Sequence, residues 1–341
     1  MKQTDFAKTL TRFLMDFLPG QRNVSPNTIK SYRDAFKQYL TFMQEEQRIK
    51  PEKISFASAT TLSIKEFLLW LETSKNVSAS TRNQRLAAIH SFFRYAQAEY
   101  PEILFESQKI LGIPFKKKQQ QTILHLTMTQ LAYLFEQPDT STKRGRRDLA
   151  LMITLYDTGA RVQELIDLKV CQVRLAQPAM ITLTGKGNKQ RVVPILAKTR
   201  AILEGYMAEN HLFENGRQQN HLFHNSRYQA FTRPGIAYIL NKYFFQAKIS
   251  HKEEIFPETI HPHMLRHSKA LHLLESGVNL IYIRDLLGHV SVTTTEMYLR
   301  FDIELKRKAL EAAYPQVVTQ DAPAWEENIG ILQWLENLCN S

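Results

Sequence analysis

Three linked fragments near the C-terminal end decide how this chain is read: His261-Pro262-His263-Met264-Leu265-Arg266-His267, then Leu286-Leu287-Gly288-His289, then Thr293-Thr294-Thr295-Glu296-Met297-Tyr298. Proline after His261 marks a helix start, because its missing N–H is unpaired there in any case. His263 and Arg266 are three residues apart and share a face close to that start, where free N–H groups favour an anion. Gly277 stops the helix; a second helix from about Asn279 stops at Gly288, leaving His289 just past its end. Thr293 and Glu296 have the spacing of a capping box for a third helix bearing Tyr298. The stretch is thus expected to be three short helices presenting two histidines, an arginine and a tyrosine. Zinc is the competing reading of His261, His263, His267 and His272. No H-E-x-x-H motif and no nearby cysteine supports it, and Arg266 would place a positive charge beside the metal, so no metal is expected.

Upstream, Met180–Thr184 and Arg191–Ile195 are extended runs joined by Gly185-Lys186-Gly187-Asn188-Lys189-Gln190, a hairpin with a basic tip. The tip lacks the spacing of a nucleotide P-loop. Leu222–Asn225 is expected to add a third strand. Thr127-Met128-Thr129-Gln130 caps one helix; a longer one follows with Leu149, Met152, Ile153 and Tyr156 inward, stopped by Gly159. Arg161 stands at the junction beyond, with Glu164 three residues on to orient it. Thr232 and Pro234 open a further helix.

The first hundred residues show helical periodicity and no strand signal. One helix runs from Phe6 to Phe17 and is expected to end at Pro19-Gly20. Another starts at Ser25-Pro26, a third at Ser63-Ile64-Lys65-Glu66 and a fourth near Ser80-Thr81. Lys30 and Arg33 on the second, and Arg82, Asn83 and Arg85 on the fourth, are side-chain types that meet phosphates and base edges. The segment from Gly112 to Gln121 reads as an exposed linker in which Lys116, Lys117 and Lys118 can cross a DNA backbone. The expected organisation is a helical domain over 1–111, a linker over 112–122, a second domain over 123–315 and a helical tail over 316–341. The whole is mostly α with a small antiparallel β-sheet.

The formal charge of +11 is uneven: +5 over residues 1–115, +10 over 116–314 and −4 over 315–341. A basic body with an acidic tail fits a polyanionic partner. Two cysteines, Cys171 and Cys339, make no metal-spaced pair. Charges interrupt the apolar N-terminal residues, and no run is long enough to span a bilayer. A cytoplasmic, nucleoid-associated protein is expected.

Taken together, T-G-A-R-V-Q-E-L, G-K-G-N-K-Q-R, H-P-H-M-L-R-H, L-L-G-H and a tyrosine nine residues later resemble the tyrosine recombinase (phage-integrase) family, including Xer-type recombinases and transposon integrases. The resemblance extends over nearly the whole chain. It implies an N-terminal four-helix SAM-like core-binding domain and a C-terminal catalytic domain. Arg161, Lys186, His263, Arg266 and His289 would surround a scissile phosphate, with Tyr298 as nucleophile, and Glu164 and His267 in supporting roles. No cofactor is implied. The implied partner is double-stranded DNA with paired inverted sites, bound by a dimer or tetramer, with sister recombinases or DNA-bending accessory proteins. The tail would dock on a neighbouring protomer, the alternative being that it folds back on its own domain. A type IB topoisomerase-like enzyme and a non-catalytic DNA-binding protein on the same fold are the alternatives. The first would relax supercoils without synapsis, and the second would form no covalent adduct.

Overall fold

The computed structural model describes residues 3–22, 24–117 and 124–288, with the Lys186 side chain excepted. It divides into two compact units, 1–121 and 122–341.

In the first unit α1 (Asp5–Arg12) is capped by Thr4, whose side chain accepts from the Ala7 N–H. The chain does not stop at Pro19-Gly20 as the sequence suggested; it continues through Phe13–Gln21 in wider, π-type turns. There the Arg22 N–H reaches back five residues to the Phe17 carbonyl. An α-helical proline would strike the carbonyl four residues behind it, and the wider turn relieves that clash. Next come α2 (Pro26–Glu45), α3 (Thr61–Thr73) and α4 (Ala79–Glu99), capped by Ser25, Thr60 and Ser78. Ser63, read from sequence as a cap, lies inside α3, where its hydroxyl bonds the Thr60 carbonyl and the buried Tyr39 hydroxyl. A short α5 (Leu104–Leu111) adds to the four expected helices. The core is aromatic: the Phe92 ring is 5.0 to 5.5 Å from those of Phe36, Phe6 and Phe13.

The second unit opens with α6 (Met128–Glu136), whose Thr127–Gln130 capping box is formed in both directions. It is followed by α7 (Lys143–Asp157), α8 (Val162–Ile166), β1 (Val173–Arg174), β2 (Met180–Thr184) and β3 (Gln190–Pro194). Then come α9 (Ala197–Glu209), α10 (Arg233–Ser250), α11 (Pro262–Glu275) and α12 (Leu280–Leu287). The sheet is antiparallel in the order β1-β2-β3. Its third strand is therefore β1, and 222–225 contributes only an isolated bridge between His224 and Ala230. Leu222 and Phe223 are buried; their apolar run signalled burial, which periodicity alone cannot tell from strand pairing. The inward face of α7 also differs from expectation. Ala150, Leu151, Met152 and Leu155 are fully buried, and Leu149, Ile153 and Tyr156 are half-buried, because α7 packs against α6, α9 and α11 on several sides.

Candidate active site

Three backbone devices build the site. Gly159 ends the α7 segment with φ +57°, and Arg161 follows as the N-cap of α8. A Cβ on Gly159 would come within 2.7 Å of Leu287 Cδ2, so the turn can approach α12 only because the residue is glycine. Gly288 closes α12 in the left-handed region, φ +65°. Pro262 at the first position of α11 starts the helix that carries His263, Arg266 and His267.

Glu164 is at the centre. Its Oε2 accepts from the Arg161 backbone N–H and Arg191 Nη2, at 2.8 and 2.7 Å. Its Oε1 accepts from Arg161 Nη1 and Arg191 Nη1, at 2.8 and 2.9 Å. A carboxylate offers about four acceptor positions, and here all are filled. Burial alone would raise the Glu164 pKa, but the bonds from Arg191 and Arg161 outweigh it and hold the group down at about 2. Glu164 is therefore a fixed anion between two guanidiniums.

Arg266 is almost wholly enclosed, 3% exposed, and donates to the carbonyls of Gly159 and Leu287. Arg161 stays partly open, with 36% of its side chain in solvent, and reaches the Gly288 carbonyl at 3.4 Å. Gly185, the residue before Lys186, lies against this pair: an added Cβ would meet Glu164 Oε1 at 3.0 Å and Arg161 Nη1 at 3.8 Å. The hairpin tip is a single tight turn, Lys186–Asn188, with Gly187 at φ +74°.

His263 is exposed at the start of α11. Partial desolvation of its ring, then the positive charges of Arg266, His261, Arg161 and Arg233, push its pKa below the usual histidine value. His267, one turn on and 6.4 Å away ring to ring, is driven to about 4 by burial and then by the positive charges of His263, His261, Arg266 and His125. Neutral imidazoles beside two guanidiniums can accept protons, which imidazoliums cannot.

The structure thus brings Arg161, Glu164, Gly185, Arg266, His263 and the end of α12 into one neighbourhood. His289 and Tyr298 lie outside the described residues, as do the Lys186 side chain, the third helix expected near Thr293 and the tail. Two cations carried no recognisable role in the sequence: Arg191, part of the hairpin motif, and Arg233, whose Nε donates to Gln163 Oε1 at 2.8 Å beside α8. Among the described residues no group of histidine, cysteine or acidic side chains is arranged to hold a metal ion.

The residues expected to contact DNA in the first unit divide into two groups. Lys30, Arg33 and Lys117 are exposed. Arg33 pairs with its neighbour Asp34, and Arg85 is held by Gln38 Oε1 at 2.7 Å. Arg82 and Asn83 are not on the solvated face: both are 8% exposed. Arg82 Nη1 donates to the Pro114 carbonyl, while Asn83 both accepts from the Lys116 N–H and donates to its carbonyl. They tie the segment after α5 back onto α4. Lys116 is paired with Glu72 at 2.7 Å. Lys118 is not among the described residues.

The second unit is thus a mostly helical body with a small antiparallel sheet that gathers two arginines, a glutamate and a histidine in one place. Residues 124–304 match the phage integrase family, and residues 10–100 match the phage integrase N-terminal SAM-like domain. A tyrosine recombinase XerC of Herpetosiphon aurantiacus is 34% identical over 316 residues, covering 92% of this chain and 97% of that one. A tyrosine recombinase XerD of Staphylococcus haemolyticus is 32% identical over 309 residues, covering 85% and 93%. Among solved structures, XerH recombinase bound to a palindromic difH substrate aligns with TM-score 0.65 at 24% identity, covering 86% of this chain and 80% of that one. The Tn1549 transposon integrase with transposon right-end DNA aligns at 0.66 and 16%, covering 89% and 98%. The chain belongs to the phage integrase family, the tyrosine recombinases.

Proposed function

We propose that this recombinase cleaves one strand of double-stranded DNA through Tyr298 and rejoins it to a new partner, for integration or excision of a mobile element. The tyrosine oxygen attacks the scissile phosphorus, the bond to the 5′ oxygen breaks, and a 3′-phosphotyrosine and a free 5′-hydroxyl result. Arg161 and Arg266 take the non-bridging oxygens and stabilise the added charge. His263, kept neutral by its surroundings, accepts the tyrosine proton, and His289 donates to the phosphate. Lys186 gives a proton to the departing oxygen. Glu164 and His267 support the set. The observation that carries this reading is the convergence of Arg161 and Arg266 on the two glycine turns at 159 and 288.

The reading extends to a core-binding domain over 1–111, a linker over 112–122, a catalytic domain over 123–315 and a docking tail over 316–341. Lys30, Arg33, Arg85 and Lys117 meet the DNA backbone. Paired inverted sites would recruit a dimer and then a tetramer, in keeping with relatives solved on a palindromic substrate and as a dimer on a core site. Among the described residues no helix is long and apolar enough to cross a membrane, in keeping with a place on the nucleoid. The deciding experiment is Tyr298→Phe. It should abolish the SDS-resistant protein–DNA species and leave DNA affinity within about twofold; an adduct that persists moves the nucleophile elsewhere.

A further inference from the structure

The last carbonyls of an α-helix have no N–H partners within it, and they form the negative end of its dipole. At the end of α12 three consecutive carbonyls are met by three different arginines. Arg191 Nε donates to Leu286 O at 2.8 Å, Arg266 Nη2 to Leu287 O, and Arg161 Nη2 to Gly288 O at 3.4 Å. Two of these three are proposed phosphate ligands. The third, Arg191, differs in what it holds: where Arg266 gives both terminal nitrogens to main-chain carbonyls, Arg191 gives both to the Glu164 carboxylate, and only 11% of its side chain is exposed against 36% for Arg161. Its guanidinium is therefore already committed along both edges, to a carboxylate and to a carbonyl.

We infer that Arg191 is a positioning residue for strand cleavage, fixing at once the carboxylate that orients Arg161 and the helix end that precedes His289. It sits on β3, directly after the hairpin tip that carries Lys186, so one side chain fastens hairpin, α8 and α12 together. The fit around it is close. A Cβ on Gly288 would lie 3.0 Å from Arg191 Cδ and 3.1 Å from its Nη1. Lysine cannot replace it, because one ammonium lacks the planar fork needed to grip a carboxylate with two parallel bonds and a carbonyl with a third. The inference rests on reading Arg161 and His289 as phosphate-site groups.

The test uses full-length Arg191→Lys and Arg191→Gln on a nicked duplex carrying the site recovered by binding selection. Adduct formation is measured in a single turnover at saturating protein. Both variants should bind DNA within threefold of wild type yet form adduct at least tenfold more slowly. A second substrate carries a neutral methylphosphonate at the scissile position, where a correctly aimed Arg161 matters less. There the deficit of Arg191→Lys should shrink at least threefold. Wild-type rates in Arg191→Lys, or an equal deficit on both substrates, would overturn the inference. Arg161→Ala separates the two levels. If it is slow while Arg191→Lys is normal, only the positioning role fails; if it cleaves at the wild-type rate, the phosphate-site reading fails and takes this inference with it.

Discussion

Glu164 shows how much of the site depends on one charge state. Its folded pKa of about 2 lies below the 4.5 of a free glutamate, so the fold binds fewer protons there than the unfolded chain. The resulting stability is present above about pH 4.5 and is lost as pH falls toward 2, on the order of 3 kcal/mol. His267 and His272, both driven to about 4 chiefly by burial, act in the same direction over a higher window, from the free value of 6.5 down to 4. Denaturant unfolding at pH 7, 5 and 3 should therefore show a two-stage decline, and Glu164→Gln should flatten the lower stage. An unchanged lower stage would mean the carboxylate is not held as described. Glu164 and Arg161 were legible in the sequence because they are three residues apart on one short helix. Arg191 was not, since its partners Glu164 and Leu286 are 27 and 95 positions away and no local pattern encodes such a contact.

Among the elements, the caps were the most legible part of the chain. Ser25, Thr127 and Thr232 accept the expected backbone bonds, since capping depends on two or three adjacent residues; Ser63 does not, the cap of α3 being Thr60. Elements without a punctuating residue escaped. Helix α5 follows α4 after Tyr100 and a three-residue turn at Pro101–Ile103, and no capping side chain marks its start. Asn83 illustrates the opposite hazard: its type suggested a nucleic-acid contact, but both ends of its amide are spent on Lys116. Asn83→Ala removes those two bonds and should free the segment after α5. Trypsin cleavage at Lys116 and Lys117 should then accelerate several-fold, with a stability loss of no more than about 2 kcal/mol. A cleavage rate equal to wild type would show that the amide does not restrain the segment.

At the scale of the whole molecule, the charge gives the proposed DNA binding a measurable consequence. A chain of net charge +11 that neutralises roughly six phosphates should lose affinity with a slope of about −5 in log K against log salt. Titrations between about 50 and 200 mM salt measure it, and a nearly flat slope would exclude the basic surface as the docking face. Overall class and the order of the two domains were readable because motif order survives wherever the side chains end up. The exact partners of each cation were not, since they depend on the packed fold. One consequence concerns how such a site drifts through evolution. The arginines at the end of α12 grip main-chain carbonyls, which every amino acid supplies alike. Half-buried Leu286 can thus be exchanged for other apolar residues without disturbing the grip, whereas Gly159 and Gly288, both at positive φ and crowded by Leu287 and Arg191 respectively, leave lineages far less freedom.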